Sequence, residues 1–356
     1  MMPFGPARAM MHMQNAPGGA EAGRGEGNDG LDHLAYLYDD ERDYLACLCD
    51  FAQAGLRNAE PVFVAVPGRR VAQLHEHLGA ESPLLRYGAM TETGRNPARL
   101  IPELYAFVAE HPGQRVRYIG ESSWPGRSDA ELCEAARHEA LLNLAFAKAS
   151  VSIMCPYDAA DLAPAALLEA RFTHPAVLQN GQPLSSADFA GPGLLPPASD
   201  RPLPAPPSHA QDLGYGADLQ PVRRLVAAHA SSVGLSPERA ADLVLAVSEI
   251  AANTLRHTSG DGQLRVWHTE QEILCQVQDH GWITDPLAGQ RRRPADEPGH
   301  GLWVVHQVCD LVEVRTGEAG TTVRLHMRLG EVRTWHAPEA PWRAAGTAHT
   351  PPASPG

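Results

Sequence analysis

The sequence predicts two folded domains: an N-terminal α/β domain with a mainly parallel sheet, and a C-terminal α+β sandwich. Three features of the chain predict this. Between 31 and 178, short apolar runs alternate with amphipathic stretches, strand then helix, as in a parallel sheet covered on both faces. Between 215 and 330, two helical stretches precede a set of strands interrupted by one helix, which suggests helices packed on one face of a sheet. Between the two, 179–214 is dense in proline and glycine, which excludes a helix or a central strand and reads as a linker. Residues 1–30 and 331–356 have no periodicity and read as a disordered leader and tail.

Within 31–178, HLAYLY (33–38) reads as the first strand and DDERDYLACLCDFAQAGLRN (39–58) as the first helix. PVFVAVP (61–67) is a short apolar run suited to a buried strand. RRVAQLHEHLG follows as helix, LLRYGAM as strand, NPARLIPELYAFVAEH as helix and RVRYIGE as strand. A long helix over SDAELCEAARHEALLNLAFAKA and a strand over VSIMCPYD complete the alternation. In the second domain, Leu219–Val233 and Pro237–His257 are helical. LRVWHTE, ILCQVQD, LVEVRTG and TTVRLHMRL are strands, and LWVVHQVCD is the inserted helix.

Bulk properties exclude several classes. The formal net charge is −13 with no long Lys/Arg run, which argues against a nucleic-acid surface. No run of about 18 apolar residues occurs, so no membrane span is expected. The six cysteines are scattered without a C-x-x-C pair, and a chain this large needs no staples, so reduced thiols in a cytoplasmic protein are expected.

The second domain carries the chemistry. Ser236 and Pro237 form a helix start. At 3.6 residues per turn, Leu243, Val244, Val247, Ile250, Thr254 and Leu255 share a broad face, with Glu249, Asn253 and Arg256 opposite. Taken alone, that polar stripe is what any surface helix needs. Downstream, Asp279 and Gly281 stand at a strand end, where a carboxylate can accept from an exocyclic amine and a glycine lets a ring approach. Gly299 and Gly301 open the inserted helix, whose free N–H groups suit phosphate. Gly320, Thr321 and Thr322 begin the last strand. Each motif alone is also an ordinary turn or loop.

In this order and spacing, E-x-x-x-N, D-x-G, G-x-G-L and G-T-T resemble the GHKL ATPase group with its Bergerat nucleotide fold. The run from Ala241 to Met327 is more closely similar to the anti-sigma-factor serine kinases. The resemblance implies ATP and Mg²⁺ as cofactors. Asn253 would ligate Mg²⁺ through its amide oxygen, a hard donor. Glu249 would position or deprotonate the attacking hydroxyl. Asp279 would hold adenine with Gly281 giving room, and Thr321 or Thr322 would support the base. Gly299 and Gly301 would flank a lid over Trp282–Pro298, from which Arg291, Arg292 and Arg293 reach phosphate or simply face solvent. Ile283 stands where the group often has a second glycine, implying a differently shaped adenine pocket.

The implied activity is transfer of phosphate to Ser or Thr of an anti-anti-sigma (STAS-type) protein by a kinase that also holds a sigma factor; related kinases are commonly dimeric. A sensor histidine kinase needs a phospho-acceptor hairpin before the ATPase, and here the proline-rich segment precedes it. A non-catalytic ATP-binding anti-sigma switch is the third reading. Residues 31–178 resemble the MEDS sensor domains through His33, EPVFVAVP, MTETGRNPARLIP, WPGRS, HEALLNLAF and CPYD. That likeness implies a small ligand, with His33, Trp124, His138 and Glu139 as pocket residues; taken singly, each reads more readily as a packed core residue. No Walker-type phosphate loop is present in this domain.

Overall fold

The computed structural model describes residues 30–88, 90, 94–179, 182–258, 260–291 and 299–330. The expected leader and tail lie outside these residues but for Gly30. The N-terminal sheet contains β1 (Leu31–Tyr38), β2 (Val62–Ala65), β3 (Arg86–Tyr87), β4 (Val116–Gly120), β5 (Val151–Asp158), β6 (Ala176–Gln179) and β7 (Gln182–Ser185). Its order is β3-β2-β4-β5-β1-β6-β7, parallel throughout except for the β6–β7 pair.

The strand period of two feeds both faces. Leu34, Tyr36 and Tyr38 pack with α1 (Glu41–Arg57) and α2 (Gly68–Leu78). Ala35 and Leu37 face α3 (Leu100–Glu110), α4 (Asp129–Ala145) and α5 (Pro164–Thr173). Helix α4 starts at a capping box, in which Ser128 and Glu131 each accept from the other's backbone N–H.

LLRYGAM is mostly not strand. Pro83 and the left-handed Gly79 (φ 52°) hold Gly79–Leu84 as a 3₁₀ helix, leaving only Arg86–Tyr87 to pair. Helix α5 and strand β6, past Asp158, were not expected. The proline-rich segment forms neither helix nor central strand, but both its ends are edge strands: β7, where Pro183 is tolerated, and β8 (Gln211–Tyr215).

The second sheet is antiparallel, ordered β11-β12-β10-β9-β8, with β9 (Gly262–His268), β10 (Glu272–Asp279), β11 (Leu311–Gly317) and β12 (Gly320–Arg328). Helices α6 (Gln220–Ser232), α7 (Pro237–His257) and α8 (Gly301–Val308) cover one face, burying Val226, Val247, Ile250 and Val305 on Cys275, Val277, Val323 and Leu325. The opposite face is polar and meets the N-terminal domain: Arg315 on β11 pairs with Glu134 of α4 at 2.7 Å, both buried. All six cysteines are free, as expected for reduced thiols.

Candidate functional site

Ser236 caps α7, its side chain accepting from Arg239 N at 3.4 Å, and Pro237 occupies the first turn. The buried stripe is Leu243, Ala246, Val247, Ile250, Ala251 and Thr254. Val244 and Leu255, placed on that face by the helical spacing, are only half-buried. Glu249 and Asn253 do not lie opposite the core in open solvent; they are half-buried at its edge, facing α8. A Cβ added at Gly301 would lie 2.8 Å from Glu249 Oε2 and 3.4 and 3.6 Å from the Asn253 amide atoms. A side chain at Gly301 would displace the Glu249 carboxylate, so glycine keeps the start of α8 close to both side chains. Arg256 donates to Asn253 Oδ1 at 3.0 Å and lies 3.9 Å from Glu249 Oε2.

Asp279 ends β10 on the helical face. Its Oδ1 accepts from Gly281 N at 2.8 Å and its Oδ2 from the Thr254 hydroxyl at 2.6 Å. Tyr215 in turn donates to Thr254 at 3.0 Å, and burial pushes the Tyr215 phenol up to about 12, keeping it a donor. A Cβ at Gly281 would meet Thr258 at 2.8 Å and Asp279 Oδ1 at 3.0 Å. Gly320 (φ 105°) is fixed more firmly still, since a Cβ there would lie 2.0 Å from the Asp279 carbonyl.

Thr321 pairs across from Asp279, and its hydroxyl donates to Gly281 O at 2.9 Å. Thr322 alternates to the other face of the strand, away from Asp279. Gly299 (φ 105°) is exposed just before α8. Within the expected lid, Trp282 is exposed and Ile283 N donates to the Thr316 hydroxyl at 3.1 Å. Arg292, Arg293 and the lid as far as Pro298 lie outside the described residues. Arg291 donates to Tyr105 of the N-terminal domain at 3.0 and 2.6 Å.

In that domain, His33 on β1 and Glu139 on α4 come together, with His33 Nε2 3.3 Å from Glu139 Oε2. Trp124 stands apart, its ring under the Arg127 guanidinium at 4.1 Å. His138, one residue from Glu139, is buried and makes no contact with His33 among the described hydrogen bonds. Sequence reading missed Cys155 and His174, which close on the same Glu139 oxygen at 3.2 and 3.5 Å. Burial lowers His138 and His174 to about 4, so both rings are neutral.

Comparison with known families agrees with this geometry. Residues 216–327 match the histidine kinase-like ATPase domain. Residues 32–175 match MEDS, the methanogen/methylotroph, DcmR sensory domain. The chain joins a MEDS sensor domain to a histidine kinase-like, GHKL-type ATPase domain. No curated protein matches the sequence. No helix among the described residues is long and apolar enough to cross a membrane.

The ATPase-domain residues fit the nucleotide that such a domain implies. The Gly301 cradle would be filled by a Cβ, and each Asp279 oxygen, holding one internal hydrogen bond, keeps a lone pair for a further donor. Asn253 Oδ1 is a hard oxygen of the kind Mg²⁺ takes, and the Arg256 side chain that donates to it is exposed.

The MEDS domain also grips the far end of α8, which sequence reading did not anticipate. Arg99 Nε donates to His306 O at 2.7 Å, its other nitrogen to Cys309 O, and Asn96 Nδ2 to His306 O at 3.0 Å. A buried guanidinium on the last carbonyls of a helix satisfies them and complements the dipole. Leu287, from the segment preceding α8, is buried in the MEDS core cluster.

Proposed function

We propose that this chain is a sensor-gated, Mg-ATP-dependent protein serine/threonine kinase of the anti-sigma type. The observation that carries the reading is the meeting of Glu249 and Asn253 with Gly301 at one end of α8, while the MEDS residues Asn96 and Arg99 hold the other end. Asp279 accepts from the adenine amine, and the α8 N–H groups take phosphate oxygens. Asn253 offers its amide oxygen to Mg²⁺, and Glu249 orients the attacking hydroxyl and takes its proton. Bound Mg²⁺ supplies charge neutralisation on the phosphates. Few other residues need act, because such transfer is positioning plus electrostatics. The partners we assign are an anti-anti-sigma STAS-type protein as substrate and a sigma factor held by the same domain, in the cytoplasm, with the kinase dimeric.

Labelled ATP with the full chain and a STAS-type protein tests this. Acid-stable label on Ser or Thr of the partner, abolished by Asn253→Ala, supports it. Acid-labile label on the chain itself means a histidine kinase and overturns it. Arg256 favours a second reading, an ATP-binding switch, because it engages Glu249 and Asn253 together; ATP bound with no label supports that reading instead.

A further inference from the structure

In the core of the MEDS domain, His33, Glu139, Cys155 and His174 each aim one donor atom at a common point, and those atoms all lie within 4.8 Å of one another. They come from β1, α4, β5 and the residue ending α5, so four elements converge. None is more than 2% exposed.

The hydrogen bonds around the cluster fix its protons. Asn143 Nδ2 donates to two carbonyls, Glu139 O at 3.2 Å and Thr173 O at 2.7 Å. Its Oδ1 therefore faces His33 Nδ1 at 3.1 Å, and that nitrogen must be the donor. His174 Nδ1 lies 2.8 Å from Ala170 O, which can only accept, so this nitrogen too carries hydrogen. Both Nε2 atoms point at the same Glu139 oxygen, at 3.3 and 3.5 Å, and His174 Nε2 is buried without a hydrogen-bond partner. A cation placed among the two rings, the carboxylate and the thiol would satisfy these buried atoms together.

The geometry points to a zinc site formed by His33 Nε2, Glu139 Oε2, Cys155 Sγ and His174 Nε2. Zinc bonds of about 2.0–2.3 Å arranged tetrahedrally place ligand atoms about 3.3–3.7 Å apart. Four of the six separations are 3.3 Å (His33–Glu139), 3.5 Å (His174–Glu139), 3.2 Å (Cys155–Glu139) and 3.5 Å (Cys155–His33), at or just below that range, and all six lie within 4.8 Å, close enough for small side-chain shifts to close the set on one ion. Two imidazoles, a thiolate and a carboxylate are a borderline-soft set that suits Zn²⁺ and not Mg²⁺ or Ca²⁺. Asn143 and the Ala170 carbonyl anchor the two rings from behind, the usual outer shell of a metal-bound histidine. Ser122 donates to the second Glu139 oxygen, leaving Oε2 for the ion. On binding, the Cys155 S–H bond breaks, sulfur keeps the electron pair for the metal, and the proton leaves to solvent. All four positions are filled by the protein, so the ion ties β1, α4, β5 and α5 together and performs no chemistry of its own.

The test uses the untagged full chain, stripped of metal and titrated with Zn²⁺, then separately with Co²⁺. One Zn²⁺ per chain, a raised melting temperature, and a tetrahedral Co²⁺ spectrum with thiolate charge transfer are expected. Cys155→Ser should abolish the charge-transfer band, and Asn143→Ala should weaken Zn²⁺ binding about 10- to 100-fold. Retained ATP binding by the variants reports that the chain is folded. No stoichiometric Zn²⁺ uptake by the wild-type chain overturns the site, as does a Co²⁺ spectrum without thiolate character, and both readings are free of any variant's folding.

Discussion

Replacing Arg99 with alanine should loosen α8 from the end remote from the nucleotide. Arg99 is 7% exposed and donates to His306 O at 2.7 Å and to Cys309 O. A hydrogen bond from a charged group contributes about 1.5–3 kcal/mol, and the helix dipole adds a few tenths or more. Asn96 still donates to His306 O in the variant, so the net loss is chiefly that of one charged bond, about 2–3 kcal/mol. If all of it is expressed in the ordering of α8, Mg-ATP affinity falls about 30- to 150-fold, because 1.4 kcal/mol is tenfold. Calorimetric titration of the full chain with Mg-ATP measures this, with hydrogen exchange over 301–308 reporting the helix itself. Arg99→Lys should lie between, since a single ammonium cannot fork to two carbonyls. An ATP affinity within about twofold of wild type, with unchanged exchange over 301–308, would refute the claim that the MEDS domain holds the phosphate helix.

Further outcomes follow from the same geometry. Glu249→Gln keeps the shape beside Gly301 and should reduce phosphotransfer by about 10²-fold or more while leaving ATP affinity nearly unchanged, as single-turnover transfer and equilibrium titration would reveal. Gly320→Ala places a methyl 2.0 Å from the Asp279 carbonyl at φ 105°, so the β10–β12 pairing should lose at least about 1–3 kcal/mol, visible in the urea midpoint. Burial pushes the Glu121 carboxyl up to about 7 from 4.5, although Tyr44 donates to it at 2.7 Å. Because this pKa is raised on folding, the contribution is fully present below the unfolded value and is lost as pH rises through 7. The loss totals about 3 kcal/mol, and Glu121→Gln should remove that slope from the pH dependence of unfolding.

Helical spacing and the Ser236–Pro237 start made α7 legible, whereas β1 and α4 were legible from the alternation of short apolar runs with longer stretches along the chain. Glu249, Asn253, Asp279 and Gly301 were legible only as an ordered set, since each motif alone is an ordinary turn or a wet helix side. The spacing could not say that Glu249 and Asn253 face α8, because it knows the core direction and not the neighbours. Cys155 was invisible in VSIMCPYD, where a thiol among apolar residues reads as packing; only the register that sets His33 beside Ile153 puts Cys155 next to it on the same face. Trp124 lies against the Arg127 guanidinium, a contact that the sequence did not indicate. Asn96 and Arg99 sat in a quoted motif without a role, because their partners are more than two hundred residues away.

From sequence, the proline-rich segment reads only as a linker. Its middle is instead pinned at the domain junction. Ser199 is fully buried and donates to Cys133 O at 3.0 Å, Arg201 O accepts from Arg315 at 3.2 Å, and Pro204 O accepts from Arg324 at 2.5 Å. Most of the segment stays exposed, with only Pro196 and Ser199 buried between 191 and 210, and its carbonyls serve as acceptors for arginines of the ATPase sheet. Arg315 also pairs with Glu134 of α4, and losing one partner of such a buried pair costs about 3–5 kcal/mol. Helix α4 thus bears Glu139 in the sensor cluster, Glu134 against β11, and Cys133 under the strap. A displacement of α4 is felt in the ATPase sheet through side chains already in contact, so coupling between the domains does not have to run along the linker.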